Sequence, residues 1–209
     1  MRTIIFITGV TTVGKSTLTH ILGSKLFEPR NYIIPLATTR TVREDDDSKY
    51  IINLDAKKYE ESNFFIKHGQ YGILSSEIDK FLKSHIHLAV CICGPKELGQ
   101  LLNKKTFSFT TLKVLIKYSE TEEEENILLE KNINLHFKGK IAEDRLNISK
   151  QLNRDYFFNK QYLIDNIDII LTHKLDIKDW VKIISDKIGY MNLQDESLHK
   201  KIVKYCQVR

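Results

Sequence analysis

The sequence predicts a three-layer α/β fold in which a parallel sheet lies between helices, and three observations predict it. Short apolar runs rich in β-branched residues lie at 3–8, 32–37, 86–93, 112–117 and 167–171, with helical patterns at about 15–27, 75–84, 95–104, 120–131, 138–158 and 176–188. Strands alternating with helices give right-handed crossovers onto a sheet covered on both faces. The first run, Thr3-Ile4-Ile5-Phe6-Ile7-Thr8, is apolar without alternation, as a parallel strand buried between helices must be. Two intervals, 38–74 and 119–140, break the alternation and are long enough to be small mobile flaps over one end of the sheet.

The first strand leads into Gly9-Val10-Thr11-Thr12-Val13-Gly14-Lys15-Ser16, a complete G-x-x-x-x-G-K-S loop, and Thr17-Leu18-Thr19-His20-Ile21-Leu22 continues at helical spacing. A loop of this composition between a strand and a helix is a phosphate-binding loop. Successive backbone N–H groups and the helix N-terminus point inward and hold anionic oxygens. The expected ligand is a nucleoside triphosphate, ATP, held by Gly9 to Thr17, with Lys15 on the β- and γ-phosphates and the Ser16 hydroxyl on Mg²⁺. The fold is then a P-loop NTPase fold. One domain is expected, with core segments 1–37, 75–118 and 141–188, an acceptor-binding flap at 38–74, a lid at 119–140 and an extension at 189–209.

The remaining elements narrow the class. The run ending Cys91-Ile92-Cys93-Gly94 carries no acidic residue at its end, which argues against a motor or transporter ATPase. Asn159-Lys160-Gln161-Tyr162 lacks the Asp of the N-K-x-D motif by which GTPases read guanine. Glu122 to Glu125 read as the first turn of a helix capped by Ser119 or Thr121. Arg145 and Arg154 stand nine positions apart on one helical pattern, so they share nearly one face. Ile202, Val203 and Tyr205 in the extension suit a docked helix or a dimer contact, so monomer and homodimer both stay open.

The chain has 209 residues, a net charge of +5 and its basic residues spread along its length. That charge suits an anionic small molecule, and without a basic block no nucleic-acid partner is expected. No apolar stretch approaches the roughly 18 residues that span a membrane, and the N-terminal run leads into the loop without a signal-type cleavage site, so a cytoplasmic protein is expected. Cys91, Cys93 and Cys206 fit neither a disulfide framework nor a zinc site. His85 and His87 share a face but have no third ligand beside them in the sequence.

The stretch Ala37-Thr38-Thr39-Arg40-Thr41-Val42-Arg43 resembles guanylate kinase, whose monophosphate-binding flap opens with A-T-T-R-x-x-R. The order of features is similar across about residues 1–188: the loop, this segment, Glu44 to Asp47 and Tyr50, Phe65-Ile66, Gly69-Gln70-Tyr71-Gly72, and Glu143-Asp144-Arg145-Leu146. The resemblance implies that Arg40, Arg43, Tyr50 and Tyr71 grip the acceptor's phosphate, that Asp46 lies at the acceptor site, and that Arg145 reaches the transferring phosphoryl group. Two arginines three positions apart can converge on one phosphate with forked charge-assisted hydrogen bonds.

The base-reading positions of the family differ here. Leu36, Lys67 and Ile73 stand where it has a Ser, the Glu of F-I-E and a Ser or Thr, and the acidic residues of its third strand align with Cys91 and Cys93. Its lid arginines are largely replaced by Lys131, Lys138 and Lys140. The expected function is a Mg²⁺- and ATP-dependent phosphotransferase acting on a small phosphorylated acceptor, a nucleoside monophosphate (GMP or another), with GMP no better than other monophosphates. The alternatives are a kinase of a phosphorylated sugar such as ribose 1,5-bisphosphate, suggested by Tyr71-Gly72 and Glu77-Ile78-Asp79, a non-catalytic guanylate-kinase-like interaction module, and a nucleotide-binding regulator.

Overall fold

The computed structural model describes residues 2–24, 31–42, 49–103, 107–158 and 164–188. The chain runs from β1 (Thr3–Thr8) through the glycine-bounded loop into α1 (Lys15–Leu22) and β2 (Tyr32–Ile34). It continues through β3 (Leu36–Thr38), β4 (Ile51–Asn53), α2 (Ala56–Glu61), β5 (Phe64–His68), β6 (Tyr71–Leu74) and α3 (Ser75–Lys83). Then follow β7 (Leu88–Ile92), α4 (Pro95–Leu102), β8 (Thr110–Lys117), α5 (Glu122–His136), α6 (Gly139–Leu152), a π-helical turn (Asn153–Phe158), β9 (Ile169–Thr172) and α7 (Ile177–Ile188).

Five strands form the core sheet in the order β2-β7-β1-β8-β9, and every neighbouring pair is parallel. Ile4, Ile5, Phe6 and Ile7 of the central strand are fully buried. Both faces of β1 are therefore covered by helices, which explains the unbroken apolar run. The helices α1 and α7 pack together, while α4 lies against β1 and reaches across to β5. The strands expected at 3–8, 86–93, 112–117 and 167–171 are present, and the helix expected at 15–27 is α1, which ends at Leu22 on the Gly23 cap.

The expected single strand at 32–37 is two strands in two sheets. Pro35 lies between them, offers no N–H to a ladder and bends the chain. β2 stays in the core sheet, and β3 opens a second sheet ordered β4-β3-β6-β5. In that sheet β3 pairs parallel with β4 and antiparallel with β6, and the β5–β6 hairpin turns at Gly69-Gln70. The short helix α2 is capped by Asp55, whose side chain accepts from the Lys58 N–H. Residues 38–74 read in the sequence as a polar flap without elements; its strands are three to five residues long and too short to show a period.

The acidic run Glu122–Glu125 opens α5 behind the Thr121 cap, as expected. α5 extends to His136, beyond the expected end at 131, and the expected helix at 138–158 is α6 followed by the π-helical turn. The extension 189–209 lies outside the described residues. Among the described residues no helix is long and apolar enough to cross a membrane.

Candidate functional site

The loop Gly9–Ser16 sits at the C-terminal end of β1, where ligands of open α/β sheets bind. Its shape is forced by its neighbours. Gly9 has φ +148, and a Cβ there would lie 2.4 Å from the Ile116 carbonyl oxygen, so β8 leaves room for glycine alone. Gly14 caps α1 in the left-handed region at φ +97, and the backbone turns there into the helix. Val10 and Val13 are buried and anchor the loop to the core.

Thr12 also has positive φ, +64, the sole non-glycine residue so placed among the described residues. A β-branched residue in this region carries strain of order 1–2 kcal/mol. Its hydroxyl meets the Thr11 carbonyl at 2.7 Å and the Tyr118 hydroxyl at 2.8 Å, which holds the turn in place. Behind the loop, the Tyr118 ring packs on His173 and His173 packs edge-on against Trp180. His173 Nε2 lies 3.0 Å from the Val13 carbonyl, so that nitrogen carries the proton and donates.

Lys15 folds back across the loop and its ammonium donates to the Val10 carbonyl at 2.5 Å. Desolvation lowers its pKa to about 8, with Cys93 opposing slightly. Ser16 and Thr17, in the first turn of α1, are exposed beside it. At helix starts the first N–H groups have no intrahelical partner, so the loop presents backbone donors and one lysine to the same space.

A cavity of about 440 Å³ opens from this loop toward the second sheet. Gly9, Val10, Thr11 and Lys15 of the loop, Leu36 and the His68–Tyr71 turn of the second sheet, and Ile92 to Glu97 line it. Ile148 and Leu152 of α6 complete the lining. Two sheets and two helices therefore meet round one space that touches the loop.

The structure brings some of the sequence-derived residues to this cavity and not others. Tyr71 lines it, paired across the sheet with Thr38 and His68. Arg40 does not line it; its Nη1 donates to the Thr41 carbonyl at 2.9 Å, while the Thr39 N–H binds the Gln70 carbonyl of the turn. Tyr50 is directed to α1 instead, where its hydroxyl bonds His20 Nδ1. Arg145 packs over the Phe137 ring at 3.9 Å, on the face of α6 that carries Ile148 and Leu152 one and two turns onward. Arg154 pairs with Glu122 at 3.7 Å. Arg43 and Asp46 lie outside the described residues.

Lys67 turns away from the cavity. Its ammonium bonds Glu60 at 3.0 Å and lies over the Tyr59 and Phe64 rings, so it does not meet an acceptor there. Ile73 is fully buried in the core, while Leu36 is at the cavity wall.

Two charged residues of this region carry no role in the sequence reading. Glu97, in the first turn of α4, is 6% exposed and lines the cavity; burial raises its pKa, opposed by the N–H groups of Glu97 and Gly94 and by the charges of His68 and Lys96. The signal for it was present: Gly94-Pro95-Lys96-Glu97 is a helix start at the C-terminal end of a parallel strand. Lys117, at the end of β8, is buried with its ammonium 3.8 Å from the Phe158 ring centroid, and desolvation lowers its pKa against the raising charges of Glu125 and Glu120. Glu125 is itself fully buried and accepts from the Ser119 N–H at 2.7 Å.

No protein-family model matches the sequence, and no curated protein matches it. The fold is similar to the crystal structure of guanylate kinase from Anaplasma phagocytophilum, with a TM-score of 0.54 and 12% sequence identity over 90% of this chain and 85% of that one. At that identity the likeness shows a guanylate-kinase-like P-loop fold.

Proposed function

We propose that this chain is an ATP-dependent phosphotransferase that moves the γ-phosphoryl group of ATP to a nucleoside monophosphate with Mg²⁺. The observation that carries the reading is the cavity of about 440 Å³ that is lined both by Lys15 and the loop and by residues of the second sheet. The cavity extends from the loop and Lys15 to Leu36 and the His68–Tyr71 turn, so a ligand held there would meet the same lysine as phosphates held on the loop.

Phosphoryl transfer needs little covalent work from a protein, so positioning and charge neutralisation carry it. The loop amides would hold the donor phosphates, and Lys15 would exchange the Val10 carbonyl for the phosphate oxygens. The exposed Ser16 hydroxyl suits Mg²⁺, which binds through few protein groups and keeps phosphate oxygens and waters. Bound there, Mg²⁺ would supply countercharge to the β- and γ-oxygens. Tyr71 would contact the acceptor phosphate from the cavity wall, Arg40 would reach it from beside the Gly69-Gln70 turn, and Arg43 would add a second guanidinium to it. Arg145 would reach the transferring group from α6. The Cys91 and Cys93 thiols, free and buried, favour a reducing, cytoplasmic setting.

The test is ADP release from ATP and Mg²⁺ with ribonucleoside and deoxyribonucleoside monophosphates and phosphorylated sugars offered one at a time. Turnover with a monophosphate is expected. ATP binding without turnover on any acceptor would reject the phosphotransferase reading.

A further inference from the structure

A second cavity, of about 270 Å³, shares no lining residue with the one at the loop. Phe65 of β5 and Phe107 and Phe109, just ahead of β8, line it together with Ser75, Ile78, Asp79 and Leu82 of α3. These α3 residues stand at i, i+3, i+4 and i+7, so one face of the helix is turned to the cavity. The Phe107 and Phe109 rings pack with centroids 5.3 Å apart, and Phe65 lies 5.9 Å from each of them.

Phe65 reaches this cluster through an irregularity of its strand. The β5–β6 register shifts between Phe64 and Ile66, so Phe65 is the extra residue of a bulge. In an even strand Phe64 and Lys67 would point to opposite faces, yet the Lys67 ammonium lies 5.2 Å from the Phe64 ring centroid. The bulge leaves Phe64 against Tyr59 and turns Phe65 to Phe107 and Phe109. A ladder is interrupted and an aromatic ring joins the lining.

Asp79 is the one charged residue in that lining. It is exposed and makes no ion pair or hydrogen bond among the described residues. The lysines of its own helix do not answer it: Lys80 bonds Glu77 at 2.6 Å, and no ion pair joins Asp79 to Lys83 one turn onward. Ring faces attract cations, and a carboxylate beside them adds a charged acceptor, whereas an anion would be repelled by both. Packing alone accounts for three clustered phenylalanines, but it gives no reason for a carboxylate in the same lining.

We propose that this cavity binds a small organic ammonium ion, its apolar body against Phe65, Phe107 and Phe109 and its amino group on Asp79. A volume of about 270 Å³ lies just below the usual range of ligand sites, about 300–1,000 Å³, so the ligand is small. β5 carries Phe65 to this cavity and His68 to the one at the loop, so the occupant rests on a strand that both sites share. The proposal stands apart from the phosphotransferase reading and does not need it.

The experiment titrates benzylamine, benzyl alcohol and benzoate by ligand-observed NMR into the unaltered protein, Asp79→Asn and Phe107→Leu, with melting temperatures for each. Benzylamine is expected to bind with a Kd of about 1 mM or tighter, benzyl alcohol about tenfold more weakly, and benzoate most weakly. Asp79→Asn should weaken benzylamine about tenfold and leave benzyl alcohol within about threefold, since only the charged contact is lost. Phe107→Leu should weaken both, because a ring leaves the lining while an apolar side chain stays. The exposed position of Asp79 should keep the melting temperature of Asp79→Asn within about 2 °C, so this variant decides the matter if Phe107→Leu fails to fold. Absence of benzylamine binding up to about 10 mM, equal binding of the three compounds, or benzylamine binding unchanged in Asp79→Asn would overturn the proposal.

Discussion

The phosphate loop and the cavity proposed for the acceptor meet at Lys15, yet they are built on opposite plans. The loop is made almost entirely of backbone: Gly9 fits under the Ile116 carbonyl, Gly14 turns the chain into α1, and buried Val10 and Val13 fix the rest. Eight consecutive residues and two strands suffice. The cavity is made of side chains drawn from β3, the β5–β6 turn, β7, α4 and α6. A backbone cradle recognises phosphate in any molecule, whereas the collected side chains decide which molecule is attached to it. The first kind of site is stiff and general, the second adjustable and specific.

If the comparison holds, changes in the loop should abolish turnover with every acceptor, and changes round the cavity should shift the preference among them. Lys15→Ala gives the largest effect. Loss of the cation proposed to meet the transferring phosphates should lower turnover by about three orders of magnitude or more, comparable to other contacts made to developing charge. The fold should survive, because Lys15 bonds only a loop carbonyl among the partners shown and faces the cavity. A folded Lys15→Ala protein with near-normal turnover would reject the mechanism, with circular dichroism and melting temperature confirming the fold.

Arg40→Ala and Arg43→Ala come next. Each should raise the acceptor KM about tenfold to a hundredfold, equivalent to roughly 1.5–3 kcal/mol for a lost charge-assisted contact. The ATP affinity should stay nearly constant, since these residues belong to the flap and not to the loop. Parallel loss of ATP binding would show that the flap arginines serve the donor, and would erase the division between the two regions.

The same contrast explains what the sequence revealed. The loop was fully legible because its residues are contiguous and its glycines are demanded by backbone geometry. The core sheet was legible because β1 and β7 are buried on both faces and read as apolar runs, and Val114, Leu115 and Ile116 of β8 are buried likewise. The second sheet was not, because β3 and β4 have three residues each and a short strand shows no period. Pro35 was visible in the sequence, but that it moves the chain from one sheet to another depends on tertiary pairing. Leu36, Lys67 and Ile73 were aligned as one base-reading set, yet they diverge to the wall, the outer face and the core. Glu97 was overlooked because its burial comes from the flap folding over α4, which no local pattern encodes.

Acidity separates the regions in a further way. Burial lowers the Lys15 pKa to about 8, so at higher pH the free protein loses that charge. Triphosphate favours the charged form, so binding takes up a proton and ATP affinity should weaken by about tenfold per pH unit above that value. The stability of the free protein has the opposite sign. A lysine with a lowered folded pKa binds fewer protons folded than unfolded between about 8 and its ordinary value, so this group makes the fold more stable as pH rises through that window. Calorimetric titrations in buffers of different ionisation enthalpy would detect the proton. An affinity flat from pH 7 to about 9.5 would mean that Lys15 keeps its charge in the free protein.

The smallest effect tests the outer face of the flap. Lys67 occupies a base-reading position by alignment, and a lysine there would repel the N–H edge of guanine. Its ammonium is instead bonded to Glu60 at 3.0 Å and sits over the Tyr59 and Phe64 rings, outside the cavity lining. Lys67→Ala should therefore change kcat/KM for AMP, CMP, GMP, UMP and dTMP by less than about twofold. Loss of an exposed ion pair and a cation–π contact should lower stability by about 0.5–1.5 kcal/mol, read from denaturant unfolding. Lys67→Glu should likewise fail to make GMP a favoured acceptor, because the side chain at this position projects to the far side of β5. A rise in GMP turnover above about tenfold in Lys67→Glu would show that the β5 strand presents this residue to the acceptor during turnover.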